Sequence, residues 1–268
     1  MDNNNLSNKG YWEDIYRRRK GVMSRTSDRL FNWLDSETFD AMLDYSDYQL
    51  WEIIFKKHLP APDNTLCAIE VGCAPGEFLV KLNKKYSYQV FGVEYAASGV
   101  ELCRNIFKHN SLDENHIIHA DFFSADFLQK YRNHFDVVIS RGFIEHFNDY
   151  TRVVDLHASI LKPGGTLIVT IPRFKGANHL LMSYFNKENL AIHNNGIMDE
   201  KEFAGAFGPG IIRQYCGYYG TINSMLFNVP AGSYKVYLLR FLVLLQYFIN
   251  RASCKSVFRK LNICNSTA

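Results

Sequence analysis

The segment Leu66-Cys67-Ala68-Ile69-Glu70-Val71-Gly72-Cys73-Ala74-Pro75-Gly76-Glu77 decides the fold. It starts as a short apolar run, reaches an acid and a glycine, and passes through small residues into what reads as a helix from Glu77. A run that is nearly continuously apolar, rather than alternating, suits a strand buried on both faces of a parallel sheet. Gly72 can take the positive φ of a tight turn, and Gly76 lets the backbone approach a ligand closely. The first amides of the following helix then face the space above the turn. The spacing is not the G-x-G-x-x-G dinucleotide fingerprint. An acid ahead of the glycines repels a pyrophosphate and suits a ligand that carries an ammonium group.

Four more runs of the same kind follow: Gln89–Glu94 (QVFGVE), His116–His119, Phe135–Ser140 (FDVVIS) and Thr166–Ile171 (TLIVTI). Helix-like stretches at 77–85, 97–109, 124–133 and 150–161 separate them. Alternation of this kind predicts an α/β fold: a doubly wound, mostly parallel sheet with right-handed crossovers. Ahead of it, residues 11–59 read as helices. Trp12, Ile15 and Tyr16 stand at i, i+3, i+4, and Leu30, Trp33 and Leu34 repeat the spacing. Pro60–Thr65 is a breaker-rich linker. The expected organisation is an N-terminal helical cap (1–60), a core (61–230) and a basic, apolar C-terminal helical extension (231–268). Within the core, Ile211–Tyr218 is the candidate sixth strand, and no seventh strand is evident at the end of the chain.

Composition narrows the class. With 268 residues, 47% hydrophobic and 21% charged, the chain can bury a full core. That excludes global disorder, collagen and a small disulfide scaffold. No apolar run reaches the about 20 residues of a membrane-spanning helix, and MDNNNLSNKG shows no apolar stretch of a secretory signal. Six cysteines (67, 73, 103, 216, 254 and 264) form no C-x-x-C pair, which suits reduced thiols in a cytoplasmic protein. Nine histidines form no H-x-x-x-H or H-E-x-x-H, so no metal site is expected. Charge is uneven: residues 1–202 hold 23 bases against 27 acids, a balance of −4, whereas the remainder holds seven bases and no acid.

In an open α/β sheet the ligand lies at the carboxyl ends of the strands. Glu94 ends the second run, 22 residues beyond Gly72, a separation at which a carboxylate can accept both hydroxyls of a ribose. Asp121 and Phe122 follow the third run. Asp121 can accept an adenine amino group while Phe122 packs on the ring, or it can cap the helix beginning near 124.

This constellation resembles the class I S-adenosylmethionine-dependent methyltransferases of the small-molecule type. The resemblance covers residues 11–175. Asp136–Ser140, continued by Arg141-Gly142-Phe143-Ile144-Glu145-His146-Phe147, is similar to that family's fourth motif. Leu161-Lys162-Pro163-Gly164-Gly165-Thr166-Leu167 is similar to its turn into the fifth strand, and Tyr11-Trp12-Glu13-Asp14-Ile15-Tyr16 to the N-terminal helix that folds over the cofactor. Ala74 departs from the pattern, standing where many members have glycine.

The resemblance implies a Rossmann-like, seven-stranded-type sheet and S-adenosyl-L-methionine as cofactor. It implies that Glu70 and Gly72 hold the methionyl end, Glu94 the ribose, and Asp121 with Phe122 the adenine. The backbone around Ser140 would line the methionyl pocket, and Tyr11 or Tyr16 would close it. Cys73, Ala74, Gly76 and Tyr95 complete the expected cofactor-binding set. Acids and aromatic faces suit a sulfonium cation.

The implied reaction is methyl transfer to an oxygen, or less readily a nitrogen, of a small or lipid-linked metabolite. Alignment of the reacting atoms supplies about 7–11 kcal/mol, and a general base matters for a hydroxyl acceptor. His146 and His193 are the catalytic candidates. His193 sits in the polar insertion Asn186–Asn195, a region that commonly covers the acceptor in this family. Arg141 and Arg173 can recognise an anionic acceptor or serve as surface charges.

Tyr234–Ile249 (YKVYLLRFLVLLQYFI) spans about 24 Å as a helix, short of the roughly 30 Å hydrocarbon core. It can be buried against the sheet or in a homodimer, contain a further strand, or lie at the inner membrane surface. In the last case residues 234–260 make the peripheral contact, with Arg251, Lys255, Arg259 and Lys260 meeting anionic lipid at about 1 kcal/mol each. No nucleic-acid partner is expected, since the body is acidic and the bases flank an aliphatic run. The alternatives are RNA methylation, a cofactor-binding scaffold without turnover, and a nicotinamide oxidoreductase, which would lack its third fingerprint glycine.

Overall fold

The computed structural model describes residues 5–22, 47, 49–220, 233–235, 237, 238, 241, 242, 245 and 265–267. The repeat at Leu30, Trp33 and Leu34 lies outside these, as do Cys254, Cys264 and the bases beyond Lys235.

Seven strands form one sheet: β1 (Cys67–Val71), β2 (Gln89–Glu94), β3 (Ile117–His119), β4 (Phe135–Arg141), β5 (Leu161–Ile171), β6 (Gly217–Tyr219) and β7 (Asn265–Thr267). Their order is β3-β2-β1-β4-β5-β7-β6. The first five are parallel, and β7 runs antiparallel to both β5 and β6. The order reverses between β1 and β4, where Val71 pairs with Ser140. That switch point leaves a crevice above the strand ends. Continuous burial from Ala68 to Val71 matches the unbroken apolar run that marked β1.

Helices cover both faces: α1 (Lys9–Val22), α2 (Lys56–His58), α3 (Glu77–Tyr86), α4 (Ala97–His109), α5 (Ala125–Lys130) and α6 (Tyr150–Ile160). A π-helical turn, Leu50–Phe55, leads into α2. Ser124 caps α5, its Oγ accepting the Phe127 N–H at 3.3 Å. Asp149 caps α6 by accepting the Arg152 N–H at 3.2 Å. One face of the core gathers Trp51, Phe55, Phe78, Leu79 and Phe107, and the other gathers Val71, Phe122, Phe127, Val138 and Ile160. The segment expected as one cap therefore packs in two places. Trp51 lies 5.1 Å from Phe78 in the core, while Trp12, Ile15 and Tyr16 of α1 pack around Ala96 and Leu102.

Three expectations are corrected. The fifth strand starts at Leu161 rather than Thr166, with a register shift that jumps from the Phe135–Leu161 pair to the Val137–Thr166 pair. Lys162–Gly165 is the extra chain of a bulge, so a glycine-containing stretch that reads as a turn stays within the strand. The sixth strand is only Gly217–Tyr219, not Ile211–Tyr218. A seventh strand does exist at the chain's end, where Asn-Ser-Thr carries no apolar signal.

The expected helix at Tyr234–Ile249 is helical at its described positions 235, 237, 238, 241, 242 and 245. Tyr237 is 72% exposed and Phe241 60%, whereas Leu242 packs on the core. No helix among the described residues is long and apolar enough to cross a membrane.

Candidate active site

A cavity of about 210 Å3 opens above the carboxyl ends of β1 to β4. Its floor is Gly72, Ala74, Glu94 and Tyr95, one side is Ala120 to Phe123, and another is Arg141, Gly142, Phe143, His146 and Phe147. Asn5, Ser7, Trp12 and Tyr16 roof it.

Each strand end delivers its side chain for a local reason. Gly72 has φ +70°, and a Cβ there would stand 2.9 Å from Phe143 Cδ2. Only glycine allows both the turn and that contact. Glu94 is buried, and its Oε1 accepts the Ala96 N–H at 2.9 Å. Burial pushes its carboxyl upward, and backbone N–H groups pull the other way. Tyr16 reaches Glu94 across Gly99, where an added Cβ would meet the Tyr16 ring at 2.9 Å and Glu94 Cγ at 3.0 Å. Asp121 is exposed on the cavity wall and accepts the Phe123 N–H at 2.9 Å. The cap of α5 is Ser124, so Asp121 is not spent on it. Phe122 is buried beneath, 5.9 Å from Phe143.

Not every expected residue reaches the cavity. Of the two candidate closing tyrosines, Tyr16 lines it and Tyr11 does not. Burial raises the Tyr11 hydroxyl, helped by the Glu188 carboxylate. Cys73 points into the core with its Sγ 3.7 Å from Cys103 Sγ. Gly76 also packs on Cys103 rather than facing the cavity, an added Cβ standing 3.2 Å from Cys103 Cα. Ser140 is buried under the crevice, and among the described residues its Oγ has no partner.

Glu70 lies just beneath the cavity and is 2% exposed. Its Oε1 accepts the Arg141 Nε–H at 2.9 Å, and Arg141 in turn lies 3.7 Å over the Phe78 ring. Burial pushes the Glu70 carboxyl up to about 7 against the pull of Arg141. Glu70 Oε2 is buried and has no partner among the described residues. The two arginines differ: Arg141 pairs with Glu70 while still lining the cavity, and Arg173 is not a surface charge. Arg141 holds Glu70, and Arg173 is buried, 5.1 Å from the Tyr218 ring.

The roof is latched. Glu13 of α1 accepts the Ala97 N–H at 2.7 Å and the Ser98 N–H at 3.1 Å. These are first-turn amides of α4, whose own Ala96 supplies no side-chain cap. The chain before α1 is tied to the loop after β4 by the Leu6 N–H donating to His146 O at 2.8 Å and by a bridge between Asn5 and Phe147. Trp12 donates to Ser7 Oγ at 3.0 Å and stands edge-on to His146.

The two candidate histidines come together, ring centroids 4.4 Å apart. His146 lines the cavity and His193 stands behind it. The His146 Nδ1–H donates to Ile192 O at 2.8 Å, and the His193 Nδ1–H to Asn189 O. Burial lowers the first to about 4. Burial and the neighbouring ring lower the second to about 3.

The family described as methyltransferase domain matches residues 16–207. The chain belongs to that family. It is an S-adenosylmethionine-dependent methyltransferase, and its cofactor is S-adenosyl-L-methionine. No curated protein matches the methyltransferase in sequence.

Solved structures share its fold. The Haloferax volcanii complex of the Trm112 methyltransferase activator with a candidate methyltransferase contains a chain 16% identical, with 97% of this chain and 96% of that one covered and a TM-score of 0.55. Geranyl diphosphate C-methyltransferase of Streptomyces coelicolor is 11% identical over 80% of this chain and 74% of that one, with a TM-score of 0.52. Phosphoethanolamine N-methyltransferase 2 of Haemonchus contortus is 15% identical over 90% of this chain but 56% of that one, with a TM-score of 0.51.

The methyltransferase's own residues fit the cofactor. The buried Glu94 carboxylate borders the cavity, held by the Ala96 N–H and neighbouring backbone N–H groups. The orphaned Oε2 of Glu70 asks for a donor, and Gly72 and Ala74 keep the floor free of bulky side chains. Trp12, Ser7, Phe143 and Phe147 line the cavity although sequence reasoning gave them no role. Trp12, Phe143 and Phe147 do stand inside two of the quoted motifs, so their neighbourhood was visible.

Proposed function

We propose that this methyltransferase transfers the methyl group to an oxygen of a small or lipid-linked acceptor. Within it, Glu94 accepts the ribose hydroxyls, Asp121 the adenine amino group, and Glu70 Oε2 the methionyl ammonium. Phe122 packs on the adenine, Gly72 and Ala74 admit the methionyl backbone, and Tyr16 closes the roof. The cofactor, once bound, supplies a methyl already activated on a sulfonium. The protein's task is then to align the acceptor and exclude water, which Trp12, Phe143 and Phe147 do by walling the cavity with aromatic rings.

The observation that carries the oxygen acceptor is His146. It is neutral at pH 7, its Nδ1–H is occupied by Ile192, and it borders the cavity, so its Nε2 can accept a hydrogen bond from a hydroxyl. Burial leaves His146 and His193 weak bases, and alignment carries most of the rate. The apolar face formed by Tyr234, Tyr237, Leu238, Phe241 and Leu245 supports a lipid surface as the place where the acceptor is met.

Three experiments test this. S-adenosylhomocysteine release is measured with phenolic, hydroxylated and lipid-linked acceptors, and turnover is expected only with an oxygen acceptor. Exclusive turnover of amines rejects the oxygen reading. His146→Ala is expected to slow turnover at saturating acceptor more than His193→Ala, and wild-type rates in both remove any proton-accepting role. For the lipid surface, Tyr237→Glu with Phe241→Glu in the full chain should reduce co-sedimentation with anionic vesicles, and unchanged co-sedimentation rejects it. A truncation at 230 is the wrong probe, because it removes β7 from the sheet.

A further inference from the structure

Behind the cavity wall, Glu145, His146 and His193 bring one ligand-type atom each to within 4.8 Å of the others. Glu145 and His146 come from the 3-10 turn Ile144–His146 that follows β4, and His193 from the segment after helix Lys187–Ala191. Backbone bonds hold the two segments together: the Asn194 N–H donates to Glu145 O at 2.6 Å, beside the His146 bond to Ile192 O.

The cluster's chemistry is one-sided. Glu145 is fully buried, and neither carboxylate oxygen has a hydrogen-bond partner. Both imidazoles spend their Nδ1 proton on a backbone carbonyl, so each Nε2 carries a lone pair. Among the described residues no donor serves these acceptors. An unpaired buried carboxylate costs several kcal/mol, and in a cluster made of acceptors either a proton on Glu145 or a cation shared by all three groups relieves that cost. An Nδ1–H bonded to a carbonyl is also the outer contact that fixes the tautomer and orientation of a metal-ligating histidine.

We propose that Glu145, His146 and His193 form a binding site for a divalent first-row cation of the zinc type, held by a Glu145 oxygen and the two Nε2 atoms. Two imidazoles and one carboxylate favour zinc-like ions over magnesium or calcium, and three protein ligands leave a position open. Because His146 also lines the cavity, the ion sits at the wall that the acceptor meets, and while bound it takes the Nε2 lone pair that the ion-free His146 offers an acceptor hydroxyl. An acceptor oxygen is the ligand class for the open position, a role that rests on the proposed oxygen transfer, whereas the site itself does not. Neither sequence motif nor spacing pointed here. The ligands are two adjacent residues and a third 47 positions beyond His146, outside any helical metal signature.

The test uses the full chain after stripping with a chelator. Zinc is titrated against a chromophoric competitor, and cobalt uptake is followed by visible absorption. The expected result is one zinc per chain, a cobalt spectrum without thiolate charge transfer, and no displacement by equimolar magnesium. Glu145→Gln and His193→Gln should each weaken zinc binding by more than about 100-fold, beyond the loss usual for an outer-shell change. The double variant Cys67→Ser, Cys216→Ser should bind as wild type does. No saturable zinc uptake by the wild-type chain overturns the site, as does a cobalt spectrum with thiolate bands. Unchanged binding in a folded Glu145→Gln chain also overturns it. If both ligand variants fail to fold, the wild-type stoichiometry and cobalt spectrum decide. Calorimetry with S-adenosylhomocysteine on the same stripped chain reports the cofactor site separately, so failure of one proposal is not mistaken for failure of the other.

Discussion

On the wall built from β1, β2 and β3, the acids meet donors; on the wall built from the loop after β4 and residues 186–199, the buried acid Glu145 meets none among the described residues. Glu94 has the Ala96 amide, Asp121 the Phe123 amide, and Glu70 the Arg141 guanidinium. Neither carboxylate oxygen of Glu145 has a partner among the described residues. The first wall rests on strand ends, whose positions the ladder fixes and whose turns supply backbone N–H groups. The second rests on loops joined by a few backbone bonds. The contrast separates a pre-organised cradle from a set of acceptors that needs a positive group to complete it.

Breaking the cradle should have the largest effect. Glu94→Gln keeps shape but replaces a charged acceptor. Charge-assisted bonds contribute about 1.5–3 kcal/mol each, so S-adenosylhomocysteine affinity in calorimetry should fall roughly 100-fold. Unchanged affinity would mean that the first wall does not hold the ribose.

Glu70 sharpens the comparison, because its partner only partly offsets burial. Its carboxyl is raised to about 7 in the folded chain. As pH rises from about 4.5, the usual glutamate value, the unfolded chain releases this proton first. The stability linked to the group is therefore full below that point and is lost as pH climbs through about 7. Relative to Glu70→Gln, the wild-type chain without cofactor should lose on the order of 2–3 kcal/mol between pH 4.5 and 8 in denaturant melts. A parallel pH profile for the two chains contradicts the burial of Glu70.

The smallest effect concerns the roof. Glu13→Ala removes the acceptor for two α4 amides, a cap worth about 1 kcal/mol. Thermal stability should drop slightly and cofactor release should quicken. A release rate equal to wild type would detach the roof from the cofactor's exit.

How much could be read beforehand follows the same division. The runs for β1 to β4 fall within about one residue of the observed strands because burial on both faces leaves an unbroken apolar signal. β7 is three polar residues, and its pairing is imposed by the strands on either side. Arg141 looked like a loose charge because its partner is 71 positions away; only the β1–β4 pairing across the switch point makes them neighbours. Gly76 was assigned to the ligand, yet its missing side chain makes room for Cys103, a contact between helices that local spacing does not encode. The second wall was least legible. His146 and His193 were singled out as bases, but Glu145 passed as part of a motif. The 186–199 stretch has no period that would announce which carbonyls it offers.

The Glu13 latch has one more consequence. Since α4 lacks a cap of its own, lifting the roof leaves the Ala97 and Ser98 amides without an acceptor. Hydrogen–deuterium exchange at those two amides is then a gate sensor: it counts openings directly, in a chain whose acceptor has not been found, and needs no turnover to do so.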